Sequence, residues 1–358
     1  METSNKILVK IGSNVLTLAS GLPDKQRIAH IVDQIADLKS KGFEVILVSS
    51  GAVAAGRSVV GTSASNLNKV SQKQVLASIG QIQLMNIYSE QFEKHNLLCS
   101  QVLVAKESFR TRAHYLNIKN CLESLLKSNI TPIINENDVV SIAELMFTDN
   151  DELSGLVASM MDVKHLVLLS NVDGIFTAHP SEPGAELIKE FTEEAVDLEE
   201  AVSDTKSEFG RGGMLTKANT AKKIAHLGVN VYIGNGEKNN IIKALLNKET
   251  GTFFKAETKE ISNIKKWISQ SGGFSGASIV VNEGAKAALL SDKTASILPV
   301  GVTEINGTFQ KGDVIDIFDS NNNAIGLGKV AYDSEEALNY IGERDHVPII
   351  HYNFLVLN

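Results

Sequence analysis

Cysteine and long apolar runs are both scarce in this sequence. Its 358 residues include two cysteines, Cys99 and Cys121, and residues so far apart lack the spacing of zinc-binding pairs. No apolar stretch approaches the roughly 20 residues of a membrane-spanning helix. The N-terminus lacks the basic and apolar regions of a signal peptide. We therefore expect a cytoplasmic protein with reduced, structural cysteines and no membrane contact.

An excess of basic charge and two familiar nucleotide-binding fingerprints are also absent. The formal net charge is −8, which disfavours non-specific binding to nucleic acid or to an anionic membrane. The two main glycine-rich segments are "SSGAVAAG" and "GRGGMLTK", and neither ends in the Gly-Lys-Ser/Thr of a Walker A loop. The segment "KIGSNVLTL" has one glycine instead of the G-x-G-x-x-G of dinucleotide-binding folds. A dinucleotide-dependent oxidoreductase is therefore not expected.

What the sequence does contain, from residue 6 to about 250, is an alternation of short apolar strands and amphipathic helices. The segment "KILV" has no polar face, as in a buried strand. Residues 24–41 predict a helix that Asp24 caps, with one apolar stripe formed by Ile28, Ile31, Ile35 and Leu38. This alternation predicts an α/β fold with a mostly parallel sheet sandwiched by helices.

The pattern changes after Gly251. Residues 257–273 have the character of a connector that ends in a glycine pair. Residues 274–358 carry short β-type runs broken by Asn-Gly and Asn-rich turn signals. We therefore predict a catalytic domain over 1–256, a linker over 257–273 and a small β-rich domain over 274–358.

Small, amide and charged residues follow the predicted strands at their carboxyl ends, where open α/β sheets bind ligands. Examples are "GSN" after the first strand, "SSGA" after the second, "NEND" after "ITPII" and "SNVDG" after "HLVLL". Turn and cap preferences alone favour such residues in βα loops, so each segment is weak evidence by itself. Their coincidence predicts one shared cleft.

Two clusters of carboxylates and carboxamides lie close together in the chain. Residues 135–138, "NEND", end one apolar run, and residues 148–151, "TDND", precede the next predicted helix. Solvation of a surface loop is the simplest explanation. The alternative is that both clusters hold one charged ligand, with a short β-hairpin over about residues 139–148 between them.

Two glycine-rich segments and two lysines favour phosphate binding. "SSGAVAAG" and "GRGGMLTK" each run into a predicted helix, whose N–H groups and dipole attract anions. Lys217 in the second segment adds a mobile positive charge. Lys10, in the first predicted strand, is costly to bury unless its ammonium meets an anion. An edge strand with Lys10 exposed would explain that lysine equally.

Six motifs resemble the glutamate 5-kinase family of the amino acid kinase superfamily, and they occur in this order: "VKIGSNVLT", "LVSSGAVAAGR", "PIINENDVV", "FTDNDELSGLVA", "VDGIFTAHP" and "GRGGMLTK". The resemblance covers residues 6 to about 255, and the C-terminal part resembles a PUA domain. It implies the amino acid kinase fold and transfer of phosphate from ATP to the γ-carboxylate of glutamate, the first step of proline biosynthesis. Mg²⁺ is then expected to bind mainly through the ATP phosphates, with no residue assigned as a metal ligand.

The resemblance also implies roles for individual residues. Lys10 and Lys217 would flank the transferred phosphoryl group, and Asp151 would hold both lysines in place. Asp149 would lie close by in the catalytic group. Glutamate would be bound by Ser50, Gly51, Asp138 and Asn150. The nucleotide would be bound by Lys10, Ser170, Asn171, Arg211, Gly212, Gly213, Met214, Leu215, Thr216 and Lys217.

Three departures from the family pattern fall on the nucleotide side. Members usually have Asp at the position of Asn171 and Thr at the position of Arg211. They often have Asp-Pro where this chain has His179-Pro180. Asn171 removes one negative charge, and Arg211 adds a positive one. Tighter or altered phosphate binding is one hypothesis, and neutral drift is the other.

The remaining expectations concern partners. Residues 274–358 hold five basic and eleven acidic residues, a net charge of −6, so we expect a structural or regulatory role there and no RNA binding. The resemblance implies a homo-oligomer, either a dimer or a tetramer, and feedback inhibition by proline in competition with glutamate. A sister kinase acting on another carboxylate, a phosphate or carbamate stays open, since one methylene changes binding by only about 1–3 kcal/mol.

Overall fold

The computed structural model describes residues 5–61, 66–140, 150–178, 182–192, 214–258, 261–272, 276–291 and 294–357. Its backbone contacts divide the chain into two compact units. The first unit comprises Met1–Ala105 and Lys119–Glu260, and the second comprises Lys106–Ile118 and Ile261–Asn358. Each unit has its own sheet and its own buried apolar cluster.

The described part of the first unit contains eight strands: β1 Lys6–Ile11, β2 Glu44–Val48, β3 Cys99–Val104, β4 Thr131–Glu136, β5 His165–Ser170, β6 Glu190–Phe191, β7 Asn230–Asn235 and β8 Thr252–Phe254. They form one sheet in the order β3-β4-β2-β1-β5-β7-β8-β6. Only the pairing of β7 with β8 is antiparallel among these strands. The carboxyl ends of β4, β2, β1 and β5 therefore lie side by side along one edge of the sheet.

The described residues between Ser13 and Leu246 form eight α-helices: α1 Ser13–Leu16, α2 Lys25–Ser40, α3 Ala52–Val60, α4 Lys69–Glu93, α5 Arg112–Lys127, α6 Asn150–Met160, α7 Met214–His226 and α8 Ile241–Leu246. The predicted cap of α2 is present, because the Oδ1 of Asp24 accepts from the N–H of Arg27 at 2.9 Å. The predicted stripe of α2 is buried in the apolar cluster of this unit. Helix α5 carries residues of both units.

Strand β1 shows how the sequence sets the two faces of the sheet. Ile7, Val9 and Ile11 belong to the apolar cluster that α2 and α4 also supply. Successive side chains of a strand point to opposite faces, so Leu8 and Lys10 point to the other face. That face meets α6, the helix that begins with Asn150 and Asp151. Lys10 therefore lies on the face of the sheet that packs against the helix carrying Asp151.

The second unit is rich in strands. Its described strands are β9 Ser278–Val281, β10 Val302–Asn306, β11 Val314–Asp319, β12 Ala324–Lys329 and β13 Leu355–Leu357. They form a sheet in the order β10-β9-β11-β12-β13, with β9 and β11 parallel and the other pairs antiparallel. Its α-helices are α9 Asn263–Ser269, α10 Glu283–Leu289 and α11 Ser334–Tyr340, with 3₁₀ turns at Lys106–Phe109, Pro299–Gly301 and Tyr352–Phe354.

The predicted linker contains a helix. Ser262 caps α9 by accepting from the N–H of Lys265. Trp267 on this helix is buried, and its Nε1 donates to the carbonyl oxygen of Phe109 at 3.0 Å. Ile268, the next residue of "NIKKWIS", is also buried, so two adjacent apolar side chains anchor this short helix. The described residues 261–272 of this predicted linker thus belong to the second unit and contribute to its packing.

The predicted fold class is confirmed by the two sheets: a mainly parallel sheet with helices, followed by a smaller strand-rich part. The β-hairpin predicted over about residues 139–148 lies almost entirely outside the described residues, because the description of this region stops at residue 140 and resumes at residue 150.

Candidate functional site

The centre of the candidate site is a buried carboxylate that meets two ammonium groups. Asp151 lies in the first turn of α6 and is 0% exposed. One of its oxygens pairs with the Nζ of Lys10 on β1. The other lies 2.5 Å from the Nζ of Lys217 on α7. Lys10 is 4% exposed and the side chain of Lys217 is 11% exposed, so three charged groups share a nearly dry space.

Electrostatics keep Asp151 ionised in this space. Burial alone raises the pKa of a carboxyl, but the positive charges of Lys10 and Lys217 and their hydrogen bonds outweigh burial, and the pKa of Asp151 lies well below its usual range. The three groups together carry one net positive charge. An anion arriving at this cluster meets that surplus in a medium where charges interact strongly.

Lys10 therefore does not lie on an exposed edge. β1 pairs in parallel with β2 on one side and with β5 on the other, so the edge-strand alternative is wrong. Strand position and side-chain alternation place this lysine inside the sheet. Its burial is compatible with its charge because Asp151 supplies the counter-ion.

A network of amides and hydroxyls lies beside the charged cluster. The Nδ2 of Asn150, next to Asp151 on α6, donates to the Oγ of Ser50 at 2.8 Å and to the carbonyl oxygen of Ser49 at 2.8 Å. It also lies 3.2 Å from the Oδ1 of Asn135 at the end of β4. The first two residues of α6 thus point one side chain at the lysines and the other at the exits of β2 and β4.

Four residues outside the predicted site complete this network. The Nδ2 of Asn135 donates to the Oε1 of Gln81 on α4 at 3.0 Å, which fixes the orientation of the Asn135 amide and leaves its oxygen towards Asn150. Ser49 and Tyr88 share a hydrogen bond of 2.9 Å. Asn135 stood in the "NEND" motif and could have been chosen for its place at a strand end. Nothing in the helical pattern of α4 distinguishes Gln81 or Tyr88 from ordinary core-facing residues.

Two glycines set the backbone around Ser50. Gly51, at the N-cap of α3, has a φ of +99°, a conformation that favours glycine. No side chain caps the start of α3, so its first N–H groups face the strand exit. Gly80 of α4 lies against the backbone of α3, where a Cβ would come within 1.8 Å of the carbonyl oxygen of Ala52. This close crossing fixes α4, and with it Gln81, against the site.

Gly12 links the ends of two neighbouring strands. Its N–H donates to the carbonyl oxygen of Leu169 at 3.0 Å, so this donor continues the pairing of β1 with β5. Its role is to hold the exits of β1 and β5 together.

Asp138 lies in the turn after β4 and is paired within the chain. Its Oδ1 is 2.6 Å from the Nζ of Lys73 on α4. The side chain of Asp138 is 12% exposed and that of Lys73 is 36% exposed. The sequence did not indicate this partner, because Lys73 is one of two lysines in the polar first turns of α4.

On the predicted nucleotide side, the structure brings Ser170 to the carboxyl end of β5, one residue beyond the partner of Ile11. Ser170 is buried, and its Oγ lies 3.4 Å from the Oδ1 of Asn171, whose side chain is exposed. Met214, Leu215 and Thr216 form the first turn of α7 and are partly exposed. Lys217 is the residue of this segment that reaches Asp151.

Several predicted positions lie outside the described residues. These are Asp149, Arg211, Gly212 and Gly213, and the departure at His179. The described residues include no group of three or more His, Cys, Asp or Glu side chains arranged to hold a metal ion. The same residues form no helix with the length and hydropathy that crossing a bilayer requires.

The chain matches two family models in the order that its sequence suggested. Residues 5–235 match the amino acid kinase family, and residues 277–350 match the PUA domain. The first match spans most of the sheet that carries Lys10, Asp151 and Lys217. The second match lies within the strand-rich second unit.

Two curated relatives are similar over nearly their full length. A glutamate 5-kinase of Bacteroides thetaiotaomicron is 47% identical over 355 residues, which is 98% of this chain and 98% of the relative. A glutamate 5-kinase of Chlorobaculum tepidum is 45% identical over 354 residues, which is 98% of this chain and 97% of the relative.

A solved structure supports the fold. Carbamate kinase from Giardia lamblia bound to AMP-PNP is 18% identical, with a TM-score of 0.51, and the match covers 72% of this chain and 100% of that chain. At this identity the likeness concerns the architecture of the sheet and its helices.

Proposed function

The chain belongs to the amino acid kinase family, and on that premise we propose that it is a glutamate 5-kinase. It transfers the γ-phosphoryl group of ATP to the γ-carboxylate of L-glutamate and forms L-glutamyl 5-phosphate, the first step of proline biosynthesis. The observation that carries this proposal is the pairing of Lys10 and Lys217 with the buried carboxylate of Asp151, beside an amide network that suits an acceptor carboxylate.

The acceptor needs no activation by a base. A γ-carboxyl group has an ordinary pKa of about 4.3, so it is already an anion at neutral pH. One of its oxygens forms a bond to the γ-phosphorus while the bond from that phosphorus to the β–γ bridging oxygen breaks, and ADP leaves with the electron pair. The obstacle is the repulsion between an anion and a polyanion, which positive groups and correct positioning reduce.

Lys10 and Lys217 act on that obstacle. Their stems are flexible enough for both ammonium groups to follow the phosphoryl group, while Asp151 keeps them together in the free enzyme. Charge moves from the acceptor oxygen to the leaving oxygen during transfer, and ammonium groups on both sides stabilise that distribution. The donor set fits a nucleotide polyphosphate, and Mg²⁺ bound to the ATP phosphates would neutralise further negative charge.

Acceptor binding is proposed for Ser50, Gly51, Asp138 and Asn150. The uncapped start of α3 and the hydroxyl of Ser50 offer donors to a carboxylate. Asn150 already links Ser50 to the α6 end that carries Asp151, so the acceptor would lie between the amide network and the lysines. Asp138 would pair with the α-ammonium group. Asp149, outside the described residues, stays a member of the proposed catalytic group.

Nucleotide binding is proposed for Ser170 and Asn171 at the end of β5 and for residues 211–217. Arg211, Gly212 and Gly213 would approach the phosphates before α7 begins at Met214. The changes at Asn171 and Arg211 make this side less negative than the family pattern. Tighter phosphate binding follows from charge alone, although neutral drift would give the same residues.

Regulation and assembly are proposed by family likeness. A homo-oligomer, proline competing with glutamate, a cytoplasmic location and a structural or regulatory role of the PUA-like part all fit the sequence. Proline inhibition that does not depend on glutamate concentration would contradict a shared site. RNA remains an unexpected partner, and a salt-dependent gel shift with bulk RNA tests it.

The test of the proposed function is an acceptor panel. ADP release is coupled to a dehydrogenase readout with ATP and, in turn, L-glutamate, L-aspartate, N-acetylglutamate, carbamate and UMP. We expect the highest kcat/KM with L-glutamate. A higher value with another acceptor would assign the chain to a sister activity, and equal ADP release with no acceptor would contradict a glutamate kinase.

A further inference from the structure

The pair formed by Lys73 and Asp138 is not explained by an acceptor site that uses Asp138 alone. The Nζ of Lys73 lies 2.6 Å from the Oδ1 of Asp138. If Asp138 takes the α-ammonium group of the acceptor, as proposed above, its carboxylate already has a cation beside it before the acceptor binds. The proposed function therefore requires a role for the ammonium group of Lys73.

The turn that carries Asp138 is held in place by the same helix. The Nε2 of Gln74, next to Lys73 on α4, donates to the carbonyl oxygen of Val139 at 2.9 Å. On the other side, the N–H of Asn137 donates to the carbonyl oxygen of Val104 at 2.8 Å. Backbone on both sides of Asp138 is thus fixed, and the charge pair has a defined location.

Helix α4 also reaches the amide network. Two turns beyond Lys73, Gln81 accepts from Asn135, whose oxygen lies 3.2 Å from Asn150. One helix therefore runs from the Lys73–Asp138 pair to the residues proposed to contact the acceptor carboxylate. The pair lies at the outer end of the same site.

The chemistry of the pair matches the α-carbon of an amino acid. An α-amino acid is a zwitterion, with an ammonium and a carboxylate on one carbon. The Lys73 ammonium and the Asp138 carboxylate, 2.6 Å apart, form the complementary arrangement. If the α-ammonium group of the acceptor faces Asp138 and its α-carboxylate faces Lys73, the four charges alternate in sign. Each charge then has two opposite neighbours, and the pair gains no net charge on binding.

We propose that Lys73 is a specificity-determining residue that binds the α-carboxylate of the acceptor amino acid while Asp138 binds its α-ammonium group. This proposal rests on the proposed glutamate kinase function. It predicts discrimination between α-amino acids and acids that lack one of the two α-groups. A dicarboxylate without the amine would leave Asp138 facing a carboxylate, and an amine without the α-carboxylate would leave Lys73 without its partner on the acceptor.

The alternative is that Lys73 occupies the place of the α-ammonium group and must leave before the acceptor binds. The two ideas predict opposite changes. Removing a binding cation raises the KM for glutamate, whereas removing a competing cation lowers it. A purely structural pair would change the stability of the turn with no preference among acceptor analogues.

The experiment compares Lys73→Met and Lys73→Arg with wild type and with Lys69→Met, an exposed lysine of the same helix as control. Steady-state kinetics are measured with glutamate and with ATP varied in turn. We expect Lys73→Met to raise the KM for glutamate about tenfold or more, with little change in kcat or in the KM for ATP. Lys73→Arg, which keeps the cation, restores most of the loss.

Two analogues separate direct contact from a displaced turn. 4-Aminobutyrate is glutamate without the α-carboxylate, and glutarate is glutamate without the amine. Used as inhibitors of glutamate phosphorylation, glutarate should lose affinity in Lys73→Met and 4-aminobutyrate should not. If an analogue does not inhibit wild type, thermal unfolding decides between contact and structure: a raised KM for glutamate in Lys73→Met with an unchanged Tm indicates contact, and a raised KM with a lowered Tm indicates a displaced turn.

An unchanged or lowered KM for glutamate in Lys73→Met would overturn the proposal, and so would an equal loss for both analogues or a failed rescue by arginine. These outcomes all require a wild-type enzyme that phosphorylates glutamate. If wild type does not use glutamate at all, the proposed function fails first, and the two failures are thereby distinguished.

Discussion

Two aspartates, one in each unit, are held as anions by different kinds of donor. Asp151 in the first unit meets the ammonium groups of Lys10 and Lys217, which come from β1 and α7. Asp319 in the second unit meets Lys286 at 2.7 Å, and it also accepts from the N–H groups of Asn321 and Asn323 in the turn that follows β11.

A low pKa does not by itself mark an active site. Hydrogen bonds from Lys286 and from Asn323 hold the pKa of Asp319 well below its usual range, as the two lysines do for Asp151. The donors of Asp319 include fixed backbone groups that close a turn, and its pairing with Lys286 leaves no surplus charge. Asp151 joins two ammonium groups on flexible stems and leaves one positive charge. Only the arrangement around Asp151 can follow a moving phosphoryl group.

The largest expected effect separates the two aspartate sites through their lysines. Lys217→Ala or Lys10→Ala should lower kcat by about 10²–10³-fold, the usual loss for one donor to a developing charge, because these contacts strengthen as charge moves during transfer. Lys286→Ala removes a comparable ion pair in the second unit and should leave kcat unchanged. Initial rates at saturating ATP and glutamate measure both. A Lys217 variant with unchanged kcat would remove that lysine from the mechanism.

Asp138 is an intermediate case, since it has one lysine partner and lies near the surface. Asp138→Ala should raise the KM for glutamate at least about tenfold, because an ammonium that leaves water needs a counter-ion. The KM for ATP should move little. Varying each substrate in turn tests this prediction. A collapse of ATP affinity with glutamate affinity retained would place Asp138 on the metal–nucleotide side.

A smaller effect is expected from removing most of the second unit. A chain that ends near Gly272 lacks Asp319 and Lys286 but keeps Asp151 and both of its lysines. We expect it to phosphorylate glutamate with a kcat of the same order, with altered assembly or regulation and a lower Tm, because Arg110 loses its ion pair with Asp313. A soluble, folded truncation without activity would show that the removed part of the second unit is required for catalysis.

The smallest effect on activity is expected from Asp319→Asn. Because the pKa of Asp319 is lowered in the folded state, its ionised form stabilises the protein above the unfolded pKa of about 3.9, and this contribution is lost as pH falls further. The variant should have a lower Tm at pH 7 and a shallower loss of Tm on acidification, with kcat unchanged. Thermal unfolding between pH 7 and pH 3 measures both. Identical Tm curves for variant and wild type would contradict a stabilising role of this charge.

How far the sequence predicts the structure can be judged from these same residues. The pairing of Lys10 with an anion was predictable, because a buried ammonium group in an apolar strand is unfavourable without a counter-ion. The stripe and cap of α2 were predictable because both depend on residues within one or two turns. The helix around Trp267 was missed because its pattern is short, and its burial depends on Phe109, far away in the chain.

The partners in the candidate site were harder to predict. Lys73 and Gln81 lie on a long helix whose pattern does not distinguish them from neighbouring polar residues. Their roles follow from the crossing of α4 over α3 at Gly80, which is a tertiary contact. Asn135 and Asn150 were both visible as strand-end or helix-start amides, but the hydrogen bonds that join them depend on the order of the strands in the sheet.

The central claim is that the lysines around Asp151 transfer phosphate to a carboxylate, and trapping the product tests it most directly. Hydroxylamine converts an acyl phosphate into a hydroxamate, so the reaction is run with ATP, L-glutamate and hydroxylamine, and both ADP and hydroxamate are measured. The account predicts equal amounts of ADP and glutamyl γ-hydroxamate with wild type, and a loss of both by about 10²-fold or more with Lys217→Ala. ADP release without hydroxamate, or an undiminished hydroxamate yield in the variant, would contradict it.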